Sequence, residues 1–202
     1  LGVTDLNNTT GILNGVTNKF RLYDWAFQAN GLSMFTVAEN IDLSTGIGSG
    51  VMHLYAINPV NGFITDLGPA DIPFATYGSI FMDASGFLYA VDNADVDPAM
   101  DPPINIYRLD INQIDWPNNN YDESYTEPFS YKPGTFNSND GAMCANSNLY
   151  LDFGDAKISY GTRLLEDGAR HFMPDYNPTT NTNSLMLGTK VDAEDNGYNG
   201  GG

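Results

Sequence analysis

The chain contains an internal repeat, and this repeat limits its possible folds more than any other feature. The segment 29–34 (ANGLSM) matches 84–89 (ASGFLY) at a spacing of 55 residues, and 53–58 (HLYAIN) matches 105–110 (NIYRLD) at a spacing of 52. The matching segments are short, rich in aromatic or branched aliphatic residues, and bounded by turn-forming residues, which is the pattern of β-strands. We therefore expect two copies of one antiparallel β-unit, with chance similarity of two β-hairpins as the alternative.

Runs of apolar residues between turn-forming ones predict the strands of these units. The predicted strands cover 32–37, 52–57, 86–91 and 104–109. Residues 58–62 (NPVNG) predict a tight turn, because Pro59 fixes its own φ and Gly62 adopts a positive φ without steric cost. We therefore expect a hairpin around this turn, and a further strand at 149–153.

The order of features within each unit is similar to a blade of the propeller-type repeats found in bacterial surface proteins. Each unit runs from an apolar strand through a small-residue turn and an aromatic strand to an acidic or glycine-rich excursion. "LYAINPxTG" hairpins recur in those proteins, and residues 54–62 (LYAINPVNG) carry that pattern here. A closed propeller needs about four to eight blades. Either earlier blades have been removed, or the two units pack as an open sandwich.

Four short blocks follow one another near the end of the chain. They are 152–156 (DFGDA), 159–162 (SYGT), 167–171 (DGARH) and 191–197 (VDAEDNG). Their order resembles a GEVED-like module of large secreted and surface-attached bacterial proteins, including calcium-dependent adhesins. Lys157-Ile158 stands where that module usually has Pro-Asp, so one acidic position is lost. The resemblance implies a location outside a bacterium.

The sequence thus predicts an all-β protein in three parts. Residues 1–19 form an N-terminal arm, 20–148 a propeller-like region of two antiparallel β-units, and 149–202 a small, loop-rich and incomplete adhesin-associated module. Asn, Thr, Ser, Gly and Asp are abundant while Lys and Arg are scarce, a turn-rich composition that is typical of extracellular β-proteins.

The net charge limits the possible partners. With 25 acidic and 8 basic residues the formal charge is -17, which repels phosphate backbones and anionic lipid headgroups. We therefore expect no nucleic-acid binding and no direct membrane insertion, and cations are the natural partners of such a surface.

Cys144 is the single cysteine, so an intrachain disulfide is excluded, and we expect it to be a small buried apolar residue.

The sequence shows neither a run of 18 apolar residues nor an N-terminal basic segment followed by an apolar one. We therefore expect no membrane-spanning helix and no signal peptide. For an extracellular protein on the bacterial cell surface, this chain would be a mature form or a fragment.

Two groups of carboxylates are candidate Ca²⁺ ligands, because Ca²⁺ takes six to eight oxygen ligands. The first group lies in one acidic loop and comprises Asp92, Asp95, Asp97 and Asp101. The second lies at the two ends of the adhesin-associated module and comprises Asp152, Asp155, Asp192, Glu194 and Asp195. A solvated acidic loop is the alternative for the first group. Bound Ca²⁺ would contribute to folding, since such loops repel themselves without a cation.

Catalytic patterns find little support in the sequence. His53 and His171 are the two histidines, so a zinc site of several histidines is excluded, and neither a nucleophile elbow nor a phosphate-binding loop is present. We expect His171 to hold a loop by hydrogen bonding and assign no catalytic residue. The chain is therefore expected not to be an enzyme.

A polar, aromatic segment at 115–128 is the candidate ligand-binding region. Trp116, Tyr121 and Tyr125 stand there among amides and carboxylates, and exposed rings in such surroundings bind glycans or peptides by stacking and hydrogen bonding. The alternative is that Trp116 and Tyr121 cover the sheet.

The expected function is an adhesive or structural module of the bacterial surface, binding a glycan or peptide on another cell or in the matrix. The first alternative is a self-assembling extracellular filament or matrix subunit, in which the arm at 1–18 completes the sheet of a neighbouring copy by strand pairing. A linker is the alternative for this arm. The second is a fragment of a secreted glycan-active enzyme.

Overall fold

The computed structural model of this 202-residue chain shows an all-β protein. It describes residues 22–42, 45–93, 104–131, 141–144, 146–153, 156–166, 168–173, 175–184, 189–191 and 193. Across these residues the strands pair antiparallel, which confirms the predicted fold class. The chain divides into two compact units, Leu1–Ser147 and Asn148–Gly202, one residue before the boundary expected from the sequence.

The first sheet is a four-stranded meander in which each strand pairs with the next along the chain. Its strands are β1 (Ala26–Phe27), β2 (Met34–Ile41), β3 (Gly48–Ile57) and β4 (Ile64–Pro69). The predicted hairpin joins β3 to β4: the Asn58 backbone N–H donates to the Phe63 carbonyl at 2.8 Å, and Gly62 has φ +70°. The Asn-Gly end of this turn therefore has the positive φ that the sequence predicts.

The second sheet repeats this order of strands with one insertion. Its strands are β5 (Tyr77–Met82), β6 (Phe87–Asp92), β7 (Ile104–Asp110) and β10 (Thr126–Tyr131). The insertion at 111–125 lies between the third and fourth strands and contains a small hairpin of β8 (Ile114–Asp115) and β9 (Asn120–Tyr121). Both halves of the sequence repeat thus occupy the same strand positions in their sheets.

The hydrogen-bonded pairs that close the first hairpin of each sheet fix which residues are equivalent. The N–H of Gln28 donates to the Ser33 carbonyl in the first sheet, and the N–H of Asp83 donates to the Phe87 carbonyl in the second. The second loop is one residue shorter. Met34 is therefore equivalent to Leu88, and the spacing of 55 inferred from the sequence becomes 54 beyond the turn.

Rows of directly paired residues carry this equivalence across both sheets. In the first sheet one row is Phe27, Met34, Ile57 and Ile64, and the next is Ala26, Phe35, Ala56 and Thr65. The matching rows of the second sheet are Met82, Leu88, Leu109 and Thr126, and Phe81, Tyr89, Arg108 and Glu127. Ile57 thus corresponds to Leu109, which agrees with the sequence spacing of 52.

The two sheets share one hydrophobic core. The face that the first sheet turns towards this core is equivalent, in the repeat, to the face that the second sheet turns away from it. Phe35 and Ala56 of the first sheet lie in the shared core, whereas their equivalents Tyr89 and Arg108 do not belong to it. Leu109 of the second sheet lies in the shared core, whereas its equivalent Ile57 belongs to a separate cluster with Tyr55 and Ile64. Successive side chains of a strand point to opposite faces. The sheets therefore stack head to tail rather than as a two-fold symmetric sandwich.

The second unit is small and rich in turns. Its paired strands are β11 (Leu151–Phe153) and β12 (Arg170–Phe172), and β11 falls within the strand predicted at 149–153. Gly168 lies against the Thr162 carbonyl so closely that a Cβ at Gly168 would overlap it. The SYGT and DGARH blocks therefore meet, and a glycine is needed where they do.

Candidate functional site

The three predicted ligand-binding aromatics have different environments in the structure. Tyr121 is 3 % exposed, its hydroxyl pairs with the Thr126 hydroxyl at 3.1 Å, and burial raises its pKa above the usual range. Trp116 is 47 % exposed, with its ring centroid 6.3 Å from that of Phe35, and Tyr125 is also exposed. Tyr121 is therefore not available for stacking on a ligand, and the alternative that it covers the sheet is correct for this residue.

Most of the predicted calcium ligands lie outside the described residues. These are Asp95, Asp97, Asp101, Asp155, Asp192, Glu194 and Asp195. Asp92 is buried at the end of β6 opposite Tyr77, whose pKa is raised first by burial and then by the Asp92 charge. Asp152 lies opposite His171 in the pairing of β11 with β12. In the part of the chain that the structure describes, groups of three or more possible metal ligands are absent.

Cys144 and His171, the two other residues with an expectation from the sequence, are both exposed. Cys144 is exposed, so the expectation of a buried apolar residue is wrong. It lies outside the described strands, and at 141–144 half-buried residues alternate with exposed ones, with Cys144 at an exposed position. His171 is exposed on β12. Among the described residues, helices long and apolar enough to cross a membrane are not found.

A polar cluster on the first sheet joins three strands and was not singled out by the sequence. The His53 Nδ1 atom is 2.8 Å from Asp66 Oδ1, Asn40 donates to Asp66 Oδ2 at 3.3 Å, and the Gly68 N–H donates to Asp66 Oδ1 at 2.9 Å. The His53 ring also stacks on Tyr55, with centroids 6.2 Å apart. Asp66 thus orients the imidazole. The cluster ties β2, β3 and β4 together, because Asn40, His53 and Asp66 lie on these three strands.

The second sheet carries a buried cation on the face away from the shared core. Arg108 is 5 % exposed, donates to Glu127 at 2.9 Å, and places its guanidinium carbon 4.3 Å from the centre of the Phe87 ring. It lies 5.9 Å from the Phe129 ring centre, and Phe129 in turn packs edge-on against Tyr89. This face is therefore held by an ion pair and cation–π contacts.

A cleft of about 300 Å³ opens beside the edge strands β1 and β5 of the two sheets. It is lined by residues 24–27, 80–82 and 141–143. Asp24 spans the two edges, because its carboxylate accepts from the N–H of Trp25 at 2.8 Å and from the N–H of Ile80 at 2.6 Å. Trp25 and Phe27 are 44 % and 48 % exposed. The sequence did not single out these residues, although Tyr23, Trp25 and Phe27 alternate as strand residues do.

Comparison of the chain with known protein families, curated proteins and solved structures found no match. A function is therefore inferred from the residues and geometry described above.

Proposed function

We propose that this chain is an adhesive or structural module of an extracellular bacterial surface protein, stabilised by Ca²⁺ and binding a glycan or a peptide. The head-to-tail stacking of two repeat-equivalent sheets carries the proposal. Such stacking is the arrangement of successive propeller blades, and it supports the similarity of the repeat to propeller-type units of surface proteins.

The electrostatics of the chain support an extracellular binding role. A formal charge of -17 disfavours polyanionic partners, and the described surface exposes several large aromatic side chains in the first unit. Trp116 and Tyr125 of the insertion remain candidate contacts because both rings are exposed. Aromatic rings stack on the apolar faces of sugars and on peptide side chains, so either ligand fits these rings.

A direct test is adhesion by the purified chain to glycan and peptide arrays, repeated with Trp116→Ala and Tyr125→Ala. We expect retention of at least one neutral glycan or peptide class, and ligands that contact the insertion should be retained less by the two variants. A chain that binds neither array, and does not attach to cells, would contradict the adhesive function.

The calcium component has its own test. We propose that carboxylates of the acidic loop and of the adhesin-associated module hold Ca²⁺, and that removing it destabilises the fold. Excess chelator should lower the melting temperature, since about 1 kcal/mol already shifts it by about 2–4 °C in a domain of this size. An unchanged melting curve in chelator would remove calcium from the proposal while leaving adhesion to be judged separately.

A self-assembling filament or matrix subunit is the second candidate. Among the residues that the structure describes, each four-stranded sheet ends in two edge strands, β1 and β4 in the first sheet and β5 and β10 in the second. An edge strand offers backbone donors and acceptors to a strand of another chain. Sedimentation of the intact chain over a range of concentrations, compared with a chain lacking 1–18, tests whether the arm supplies that strand.

A further inference from the structure

An extended aromatic segment at the edge of the first sheet presents three rings to solvent. Tyr23, Trp25 and Phe27 are 50 %, 44 % and 48 % exposed, whereas Ala26 is buried and Asp24 is half-buried between them. The segment runs beside β2, because the Thr36 hydroxyl donates to the Asp24 carbonyl at 2.7 Å and Ala26 pairs with Phe35. Alternate residues of a strand are about 6.8 Å apart, so the rings are spaced along a line.

The repeat shows that these rings are not surplus core residues. The second-sheet equivalents of Trp25 and Phe27 are Ile80 and Met82, and both belong to the core shared by the two sheets. The buried copy thus carries aliphatic side chains, and the exposed copy carries aromatic ones. Large rings at solvent-facing positions add no packing in the core, but they do provide flat apolar surface for a ligand.

We propose that Tyr23, Trp25 and Phe27, together with the adjoining cleft, form a binding site for a linear, uncharged glycan. This inference rests on the proposed adhesive function and names one of its sites, which is separate from Trp116 and Tyr125. The rings stack on the apolar faces of successive sugars, and the cleft of about 300 Å³ receives one end of the chain. That volume is at the lower end of the range of small-ligand sites, about 300–1,000 Å³.

The charges and backbone of the site disfavour two other classes of ligand, polyanions and added peptide strands. The cleft is lined by Asp24 and apolar residues, with neither Lys nor Arg among its lining residues, so a polyanion is repelled. An added peptide strand needs a free row of backbone groups. β1 has only two residues, and the Ile80 N–H on β5 already donates to Asp24, so the edge offers a poor template for a strand.

The two tryptophans of the chain, Trp25 and Trp116, permit a test that reports each candidate site separately. In the 202-residue chain with Trp116→Phe the remaining tryptophan is Trp25, and in the chain with Trp25→Phe it is Trp116. Each variant is titrated with cellohexaose, xylohexaose, mannohexaose and laminarihexaose while tryptophan fluorescence is recorded. We expect at least one oligosaccharide to change the emission of Trp116→Phe and to leave that of Trp25→Phe unchanged.

Affinities of alanine variants complete the test. Trp25→Ala and Phe27→Ala should each weaken binding of that oligosaccharide by about tenfold or more, as central aromatic contacts do. Trp116→Ala should leave the affinity unchanged, and circular dichroism checks that the variants remain folded. We expect Trp25→Ala and Phe27→Ala to remain folded, because the Trp25 and Phe27 rings are exposed.

Three outcomes would overturn the site. One is a fluorescence response confined to Trp116, which leaves the adhesive function standing but moves its ligand to the insertion. Another is array binding by the intact chain with no response of Trp25 to any neutral oligosaccharide. The third is a change in sedimentation of Trp25→Ala without any change in glycan affinity, which would assign the rings to contact between copies.

Discussion

The two sheets of the first unit have the same strand order but stabilise their far faces by different chemistry. On the first sheet the far face holds the aliphatic pair Ile57 and Ile64 beside the polar cluster around Asp66. On the second sheet the far face holds Arg108, buried among aromatic rings and paired with Glu127. The strand positions are thus the same in both copies of the repeat, while different contacts stabilise the far face of each sheet.

The largest expected difference between the sheets concerns Glu127 and its equivalent Thr65. Glu127→Ala removes the carboxylate that pairs with the buried Arg108, and because the Glu127 side chain is 25 % exposed we expect a cost of about 3 kcal/mol of unfolding free energy, at the lower end of the range for buried pairs. Thr65→Ala removes a half-buried hydroxyl and should cost less than about 1 kcal/mol. Urea unfolding measures both. Equal costs at the two positions would show that the ion pair contributes nothing specific, and Arg108→Met with Glu127→Ala should recover part of the loss.

The equivalent turn glycines provide the next comparison. Gly31 and Gly86 both have positive φ, so alanine at either position costs about 1–2 kcal/mol in backbone strain. A Cβ at Gly31 would meet no atom within 4 Å, whereas a Cβ at Gly86 would lie 2.7 Å from the Asn112 side chain. Thermal or urea unfolding should therefore show a larger loss for Gly86→Ala. The additional loss of stability at Gly86 should disappear when Gly86→Ala is made in a chain that already carries Asn112→Ala. An additional loss that persists there would show that it arises from the backbone.

The polar cluster should have a smaller effect that is confined to the first sheet. Asp66→Ala removes the acceptor of His53, Asn40 and Gly68 at a partly exposed site, and we expect a loss of about 1–2 kcal/mol in unfolding free energy. Asp66→Asn keeps an oxygen acceptor for the Gly68 N–H and should lose less. Hydrogen exchange should localise the loss to the strands of the first sheet, and a loss spread equally over both sheets would contradict a local role for Asp66.

The smallest expected effect is a pH dependence that arises from Asp83 of the second sheet. Asp83 accepts from the Phe87 N–H and the Tyr89 hydroxyl, but burial is the largest influence and raises its pKa. A carboxyl whose folded pKa is raised favours the fold when protonated. Relative to Asp83→Asn, the chain should therefore gain stability as the pH falls through that raised pKa towards the unfolded value of about 3.9.

Melting temperatures of the chain and of Asp83→Asn between pH 4 and pH 7 measure this difference, and repeated scans should resolve changes of about 1 °C. The equivalent residue of the first sheet is the uncharged Gln28, so Gln28→Ala should shift the melting temperature by the same amount at every pH. A wild-type advantage over Asp83→Asn that grows as the pH rises would contradict the expected direction.

Local patterns predicted the strands well because their causes are local. Pro59 and Gly62 determine the geometry of the turn at 58–62. The repeat identified equivalent strands in both sheets. The difference in length between the first loops of the two sheets was not predicted. The second loop is one residue shorter, and the resulting shift in the alignment of the repeats begins only after Gly86. A one-residue shift exchanges the faces of a strand, so the stacking of the sheets was not predictable from the repeat.

The candidate site was harder to predict because exposure depends on the tertiary arrangement. Tyr121 and Trp116 stand in the same polar insertion, yet Tyr121 joins the core and Trp116 remains exposed. Trp25 and Phe27 have the alternation of a strand, but the sequence does not reveal that Ala26 rather than the rings faces the core. Which of two faces is buried is decided by the neighbouring sheet.

Head-to-tail stacking has a consequence for how such a chain can lengthen. Each sheet carries both halves of the contact, one on either face, so a duplicated copy of the segment that encodes a sheet brings a matching surface with it. Growth by tandem duplication then needs no newly evolved interface, and later substitutions adapt the terminal faces to solvent or ligands. The aromatic residues at 25 and 27, opposed to aliphatic ones at 80 and 82, show that equivalent positions of the two copies have diverged in this way.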